Sequence, residues 1–348
     1  MALKVGVVGY GLAGKVFHAP LFPAAGVDMV AVASSDAAKV HADHPGVTVH
    51  PTPAALFADP DVELAVLASP SPTHAPLMLE ALAAGKHVVS DKPFTPTAAE
   101  AEQVIAAAAK AGRIATCFQN RRWDSDFLTL RRLIDEGALG EIKSYRAHFE
   151  FYKGEVADRW QEKPAPGVGI HYDLGAHLID QVLQLFGLPD WVEGDLVVQR
   201  QGGEIPDGFH ARMGHGALRV DLFANYYAPD HSTRYAVHGS RGSYMKRFMD
   251  IQEDQLRAGM TPLDDGYGVE PQDRWARVTT YDAGDAGLEA STRFEPSIPG
   301  AHHRFYALLR EAIETGTPPP VLAEEARDTI RVIEAIAESS KTGRRVTP

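Results

Sequence analysis

The sequence predicts an α/β protein in which a Rossmann domain, a doubly wound parallel sheet, precedes an α+β domain with an open, largely antiparallel sheet. Three observations lead there. The segment Lys4–Gly14 reads KVGVVGYGLAG, a short apolar strand running straight into Gly9, Gly11 and Gly14 at the spacing G-x-G-x-x-G. Short apolar segments then alternate with helical patterns to about residue 120, after which alternating apolar and polar segments follow one another. At 348 residues the chain exceeds what one hydrophobic core usually fills, so two domains are expected, 1–120 and 121–348.

In the first domain, strands are read at Val5–Val8, Met29–Ala33, Leu64–Ala68, His87–Ser90 and Ile114–Phe118, with helices at Pro76–Ala84 and Ala98–Ala111. Fully apolar strands separated by helices suit a parallel sheet covered on both faces. Gly9 would make the tight turn out of the first strand, Gly11 would admit a pyrophosphate to the backbone, and Gly14 would let the helix pack on the sheet. Leu12 and Ala13 then open the helix whose N-terminal amides face the phosphates. A glycine-rich structural turn is the alternative.

The second domain starts with a helix at Phe127–Glu136, a strand within Glu141–Lys153 and a helix at His171–Phe186. Strands follow at Trp191–Arg200, Phe209–Met213, Ala217–Tyr226 and Arg234–His238, and helices at His302–Glu314 and Leu322–Ser339 flank the Pro-rich connector Thr317–Pro320. Strands without helices between them imply an antiparallel or mixed sheet. One face of such a sheet needs a cover, so a homodimer or homotetramer formed through it is expected.

Composition narrows the partners. With 45% hydrophobic and 23% charged residues the chain is expected to be globular, and a net charge of −12 opposes nucleic acid and anionic membranes. No apolar run approaches the roughly 20 residues of a spanning helix, and no secretory leader is read at the N-terminus. Cytoplasm is the expected location. The single cysteine, Cys117, is expected to be a buried strand residue.

Cofactor choice is read at the end of the second strand. Ser34 and Ser35 stand where NAD enzymes place an acidic residue on the ribose hydroxyls, and Asp36 is better placed to cap the next helix. Two hydroxyls with Lys39 nearby suit a 2′-phosphate, which favours NADP, with NAD the alternative. The two serines also fit a simple helix start.

Two further groups carry chemistry. Asp91-Lys92-Pro93 follows the His87–Ser90 strand, at the carboxyl edge of the sheet where ligands bind, and a lysine there can stabilise a substrate alkoxide. In Tyr172-Asp173-Leu174-Gly175-Ala176-His177-Leu178-Ile179-Asp180, Asp173 and His177 share a helical face and Asp180 is close enough to orient His177. A histidine beside a carboxylate is a good general base near neutral pH, although such a helix is as readily a structural network. The pairs His41/His44 and His302/His303 lack the neighbouring carboxylates or third ligand of a metal site, so no metal is expected and these are read as exposed helix histidines.

Taken in order, the glycine motif, Asp91-Lys92-Pro93 and Asp173–Asp180 (D-x-G-x-H-x-x-D) make the chain resemble the Gfo/Idh/MocA oxidoreductases over nearly its whole length. The resemblance implies Lys92, Asp173 and His177 as the catalytic set, a cis peptide before Pro93, and NAD(P)-linked chemistry on sugars and polyols. Gln119–Thr129, Asp158-Arg159-Trp160, Tyr172–His177 and His238–Ser243 are similar to the NADP-dependent scyllo-inositol dehydrogenase subgroup. Departures are Asp91, where a glutamate is common, and Ser35, where some relatives carry an arginine.

On that resemblance Ser69, Pro70, Thr73 and His74 are expected on the nicotinamide side, Asp91, Lys92 and Asn120 are expected to contact the cofactor, and Asn120 is also expected to border the cleft. His74 is alternatively a helix N-terminal residue without ligand contact. Arg122, Trp160 and Tyr172 are expected to border the substrate cleft with Lys92, Asp173 and His177, although Arg121 and Arg122 fit an interdomain ion pair equally well. The expected reaction moves hydride between the nicotinamide and a ring carbinol or ketone, scyllo-inositol and scyllo-inosose being the first choice. Another sugar or anhydro-ketose is one alternative and a non-catalytic dinucleotide-binding sensor the other.

Overall fold

The computed structural model describes residues 2–230, 233–284 and 287–348. Its first sheet comprises β1 (Leu3–Val8), β2 (Val27–Ala33), β3 (Thr48–His50), β4 (Leu64–Leu67), β5 (His87–Ser90) and β6 (Ala115–Cys117). These strands are parallel, in the order β3-β2-β1-β4-β5-β6, so the chain reverses direction across the sheet between β1 and β4. Loops at the carboxyl ends of those two strands flank the crevice where such folds bind ligands. Val5, Val7, Leu64, Val66, Val88 and Val89 are fully buried, which explains why these strands read as unbroken apolar runs. Strand β3 was not evident in the sequence because it is a three-residue edge strand with no fully buried side chain.

The second sheet comprises β7 (Ile142–Glu150), β8 (Trp191–Val197), β9 (Gly208–His215), β10 (Leu218–Asn225), β11 (Tyr235–Gly239), β12 (Gly242–Lys246), β13 (Ala276–Gly284) and β14 (Gly287–Glu295). Its order is β14-β13-β12-β11-β7-β10-β9-β8, antiparallel except for the β7–β10 pair. Leu178, Ile179 and Val182 of the helix Ala176–Phe186 and Ile330, Ile333 and Ile336 of the last helix, Ala323–Thr342, cover one face of it. Strands β12 to β14 lie beyond those read from the sequence.

The closing helices return to the first domain. Phe305, Tyr306 and Leu309 from Arg304–Thr315, and Ala323 and Ala326 from Ala323–Thr342, belong to the same apolar core as β1, β4 and β5. Burying a Phe or Leu side chain contributes about 1.5–3 kcal/mol, so this contact ties the two halves together. Between them runs one cleft of about 850 Å³, lined by residues of both.

Candidate active site

The glycine turn opens one end of the cleft. Gly9 has φ +93°, and a Cβ there would lie 2.7 Å from the Ala68 carbonyl oxygen, so no other residue fits the turn. A Cβ on Gly14 would lie 2.2 Å from the Gly9 oxygen, whereas one on Gly11 would meet nothing within 4 Å. Gly14 therefore packs the helix against the turn, and Gly11 leaves backbone open to the cleft, as a pyrophosphate requires. Leu12 and Ala13 line the opening, and the helix read after the glycines begins as a π-helical segment, Ala13–His18.

Ser34, Ser35 and Lys39 line the cleft mouth. Asp36 caps the helix Ala37–Asp43 by accepting from the Lys39 amide (3.0 Å). Ser34 Oγ accepts from the Asp36 amide (3.1 Å), a local turn bond, and Ser35, Asp36 and Lys39 are exposed just beyond β2.

Ser69 and Pro70 line the cleft after β4, whereas Thr73 and His74 lie behind its wall. Thr73 Oγ1 donates to the Pro70 carbonyl (2.7 Å) and pairs with Ser69 Oγ (2.7 Å), which fixes the loop. His74 is buried with Nε2 2.9 Å from the Ser69 carbonyl and Nδ1 2.7 Å from the Pro93 carbonyl. It joins two cleft loops, and burial pushes its pKa down. It is thus neither a ligand-facing residue nor an idle helix terminus.

Asp91, Lys92 and Pro93 follow β5, and the Lys92–Pro93 peptide is cis. Asp91 Oδ1 accepts from the Lys92 amide (2.7 Å), and Oδ2 lies 3.7 Å from Nε2 of the fully buried His18. Lys92 Nζ crosses to the second domain and donates to Asp173 Oδ1 (2.5 Å) and to the Asp173 carbonyl (2.7 Å). The other Asp173 oxygen accepts from Tyr226 Oη (2.8 Å), a residue sequence reasoning missed although it ends the alternating pattern of β10. Burial opposes the Asp173 charge, but Lys92 outweighs it and holds the carboxyl well below the usual range.

Asp173 sits in a π-helical turn, His171–Gly175, that leads into the helix carrying His177. Such insertions are frequent at functional sites, and here Asp173 and His177 both line the cleft. His177 is buried, and among the described residues its Nδ1 has no partner. Burial, then the charges of Lys92, Arg121 and Arg234, push its pKa well below the ordinary histidine value.

Three placements correct the sequence reading. Arg122 does not border the cleft: it is buried and pairs both guanidinium edges, with Asp180 (2.7 and 2.8 Å) and Glu325 (2.8 Å). Asp180 has both oxygens on Arg122 and does not orient His177. His302 is buried, not exposed, and does have the carboxylate neighbours that the sequence reading denied it, gathering with Asp124 (2.7 Å from Nε2) and Asp250. Arg121 Nη1 (3.1 Å) already serves Asp124, and the Ser125 and Gln252 amides (both 2.7 Å) serve Asp250.

Asn120, Trp160 and Tyr172 line the cleft, with the Tyr172 hydroxyl donating to the Pro96 carbonyl (3.1 Å). Arg121, Lys153, Arg159, Tyr226 and His302 complete the far end. Cys117 is buried in β6, where burial pushes its thiol well above the usual range. Among the described residues, no helix is long and apolar enough to cross a membrane.

Comparison with known proteins agrees with this geometry. Residues 3–119 match the model of an oxidoreductase family's NAD-binding Rossmann fold, and residues 131–347 match that family's C-terminal alpha/beta domain. The chain is 43% identical over 340 residues to the uncharacterized oxidoreductase YdgJ of Escherichia coli, covering 97% of this chain and 96% of that one. It is 39% identical over 345 residues to the scyllo-inositol 2-dehydrogenase (NADP(+)) IolW of Bacillus subtilis, covering 99% and 95%. The structure of the Bacillus subtilis oxidoreductase yvaA superposes with a TM-score of 0.96 at 38% identity, covering 100% of this chain and 98% of that one. Matched by both halves of one family model, with that family's three motifs on the walls of one cleft, the chain belongs to the Gfo/Idh/MocA oxidoreductases.

Proposed function

We propose that the protein is an NADP-dependent dehydrogenase or reductase of cyclic polyols, acting between a ring carbinol and its ketone, with scyllo-inositol and scyllo-inosose as the preferred pair. The observation that carries this is the convergence of Lys92, Asp173 and His177 in the cleft that the glycine turn opens. The full-length similarity to an NADP-linked scyllo-inositol dehydrogenase supports the substrate. Ser35 and Lys39, both exposed where they line the cleft, support the 2′-phosphate, the neighbouring Asp36 being engaged as the cap of the next helix.

A bound nicotinamide supplies or accepts the hydride. The chain handles the proton. His177 is neutral at working pH, its Nδ1 is sealed from solvent, and Nε2 is left to take the proton of a substrate hydroxyl. Lys92 donates to the same substrate oxygen and stabilises its developing charge. Asp173 holds the Lys92 ammonium in place and fixes Tyr226 beside it. In reduction the imidazolium, strongly acidic in this buried setting, returns the proton to the alkoxide.

Self-association through the uncovered face of the second sheet belongs to the same reading, as a dimer or tetramer. The test is initial-rate consumption of NADPH and of NADH with scyllo-inosose. Fast turnover with NADPH and weak turnover with NADH supports the reading. Tight NADPH binding without turnover contradicts it and favours a sensor.

A further inference from the structure

Beyond β7 the chain continues alongside the end of β10. Phe151 N donates to the Asn225 carbonyl (3.0 Å), Lys153 N donates to the Tyr226 carbonyl (2.8 Å), and Tyr152 pairs with Tyr227. The main chain at Lys153 is therefore fixed, and its side chain lines the cleft. Lys153 Nζ lies 4.8 Å from the centre of the Tyr226 ring and 5.3 Å from that of Phe151. Ring faces attract the cation but accept no conventional hydrogen bond, so its three N–H donors remain available.

The other cations at this end of the cleft are each paired with a carboxylate. Lys92 holds Asp173 (2.5 Å), Arg121 holds Glu253 (2.6 Å) and Arg159 holds Glu162 (2.8 Å). Among the described residues, no oxygen accepts from Lys153 Nζ. Its ammonium therefore faces the cleft with donors that water or a ligand can engage. Burial pushes the Lys153 pKa down, with the Asp173 charge acting in the opposite direction.

We infer that Lys153 is a substrate-binding residue whose ammonium donates to a ring oxygen substituent remote from the reacting carbon, so that the enzyme selects rings bearing a hydroxyl there. This rests on the polyol-oxidoreductase reading given above. Lys92 and Lys153 stand at two sides of the Asp173–Tyr226 pair, and two separated donors with one base fix a ring's orientation where one donor does not.

Two measurements test it. In steady-state reduction of scyllo-inosose, Lys153→Met should raise the ketone KM about tenfold to a hundredfold, the effect of losing one charge-assisted hydrogen bond. The kcat should stay within about threefold and NADPH affinity should be unchanged. Lys153→Gln serves if the Met variant does not fold. An unchanged ketone KM, or a matching loss of NADPH affinity, overturns the assignment.

The second measurement is amine dimethylation of the wild-type NADPH complex, read at Lys153 by mass spectrometry with scyllo-inosose, scyllo-inositol or D-glucose present. Protection of Lys153 by a ring that is not scyllo-inosose, without turnover of scyllo-inosose, contradicts the inosose reading and keeps Lys153. Turnover of scyllo-inosose with equal labelling of Lys153 keeps that reading and overturns Lys153. No turnover and no protection overturns both.

Discussion

Lys92 and Asp173 meet across the interdomain cleft, Nζ to Oδ1 at 2.5 Å, and the same Nζ also donates to the Asp173 carbonyl. One residue follows β5 of the Rossmann sheet and the other lies in the π-helical turn before the His177 helix. The contact thus places a cation of the Rossmann domain against the turn that leads into the His177 helix. Because Asp173 also accepts from Tyr226, its carboxylate holds two groups at once.

Lys92→Met should lower kcat about a hundred- to a thousandfold, as loss of an oxyanion donor does elsewhere. NADPH binding, followed by fluorescence titration, should be retained. Full activity in this variant contradicts the assigned role.

On the proposed mechanism His177 carries the pH dependence. Its pKa is pushed well below the ordinary value, so the neutral base persists as pH falls through 6.5. The kcat/KM for polyol oxidation should stay level there and decline only at lower pH. A half-maximal fall at or above about pH 6.5, the ordinary histidine value, contradicts this.

Arg122 is structural. Arg122→Ala leaves Asp180 buried without its partner and should destabilise the fold by roughly 3–5 kcal/mol in denaturant unfolding, with the ketone KM of the folded fraction unchanged. A raised KM with unchanged stability returns Arg122 to the cleft.

The proposed NADP preference rests on the tip of β2. Ser35→Asp puts a carboxylate beside the proposed 2′-phosphate position and should weaken NADPH binding at least about tenfold while sparing NADH. Equal affinities before and after the change remove Ser35 from cofactor selection.

Buried histidines govern acid stability. Burial pushes His171 down to about 4, so its folded ring stays neutral while the unfolded chain takes up a proton near 6.5. Its stabilising contribution is whole above about 6.5 and is lost as pH falls toward about 4. The Tm of wild type should fall through that window, and His171→Leu should show a shallower fall. Identical slopes contradict the assignment.

The Rossmann strands were legible because burial on both faces leaves an unbroken apolar run, as at Leu64–Leu67. The edge strand Thr48–His50 has no such constraint and was not read. Lys92, Asp173 and His177 stood out because their motifs are local in sequence. Tyr226, Lys153 and His302 reach the cleft only through long-range pairing of β7 with β10 and through the return of the last helices. Arg122 shows the converse: a motif charge beside the cleft is drawn inward by Asp180 and Glu325, from residues 58 and 203 positions away.

Hydride transfer to a ring carbonyl is the central claim, and isotope transfer tests it most directly. NADPH deuterated at the transferable C4 position should leave its deuterium on one ring carbon of the polyol formed from scyllo-inosose, with transfer lost in His177→Ala. Tight NADPH binding with no deuterium in the ring contradicts the account.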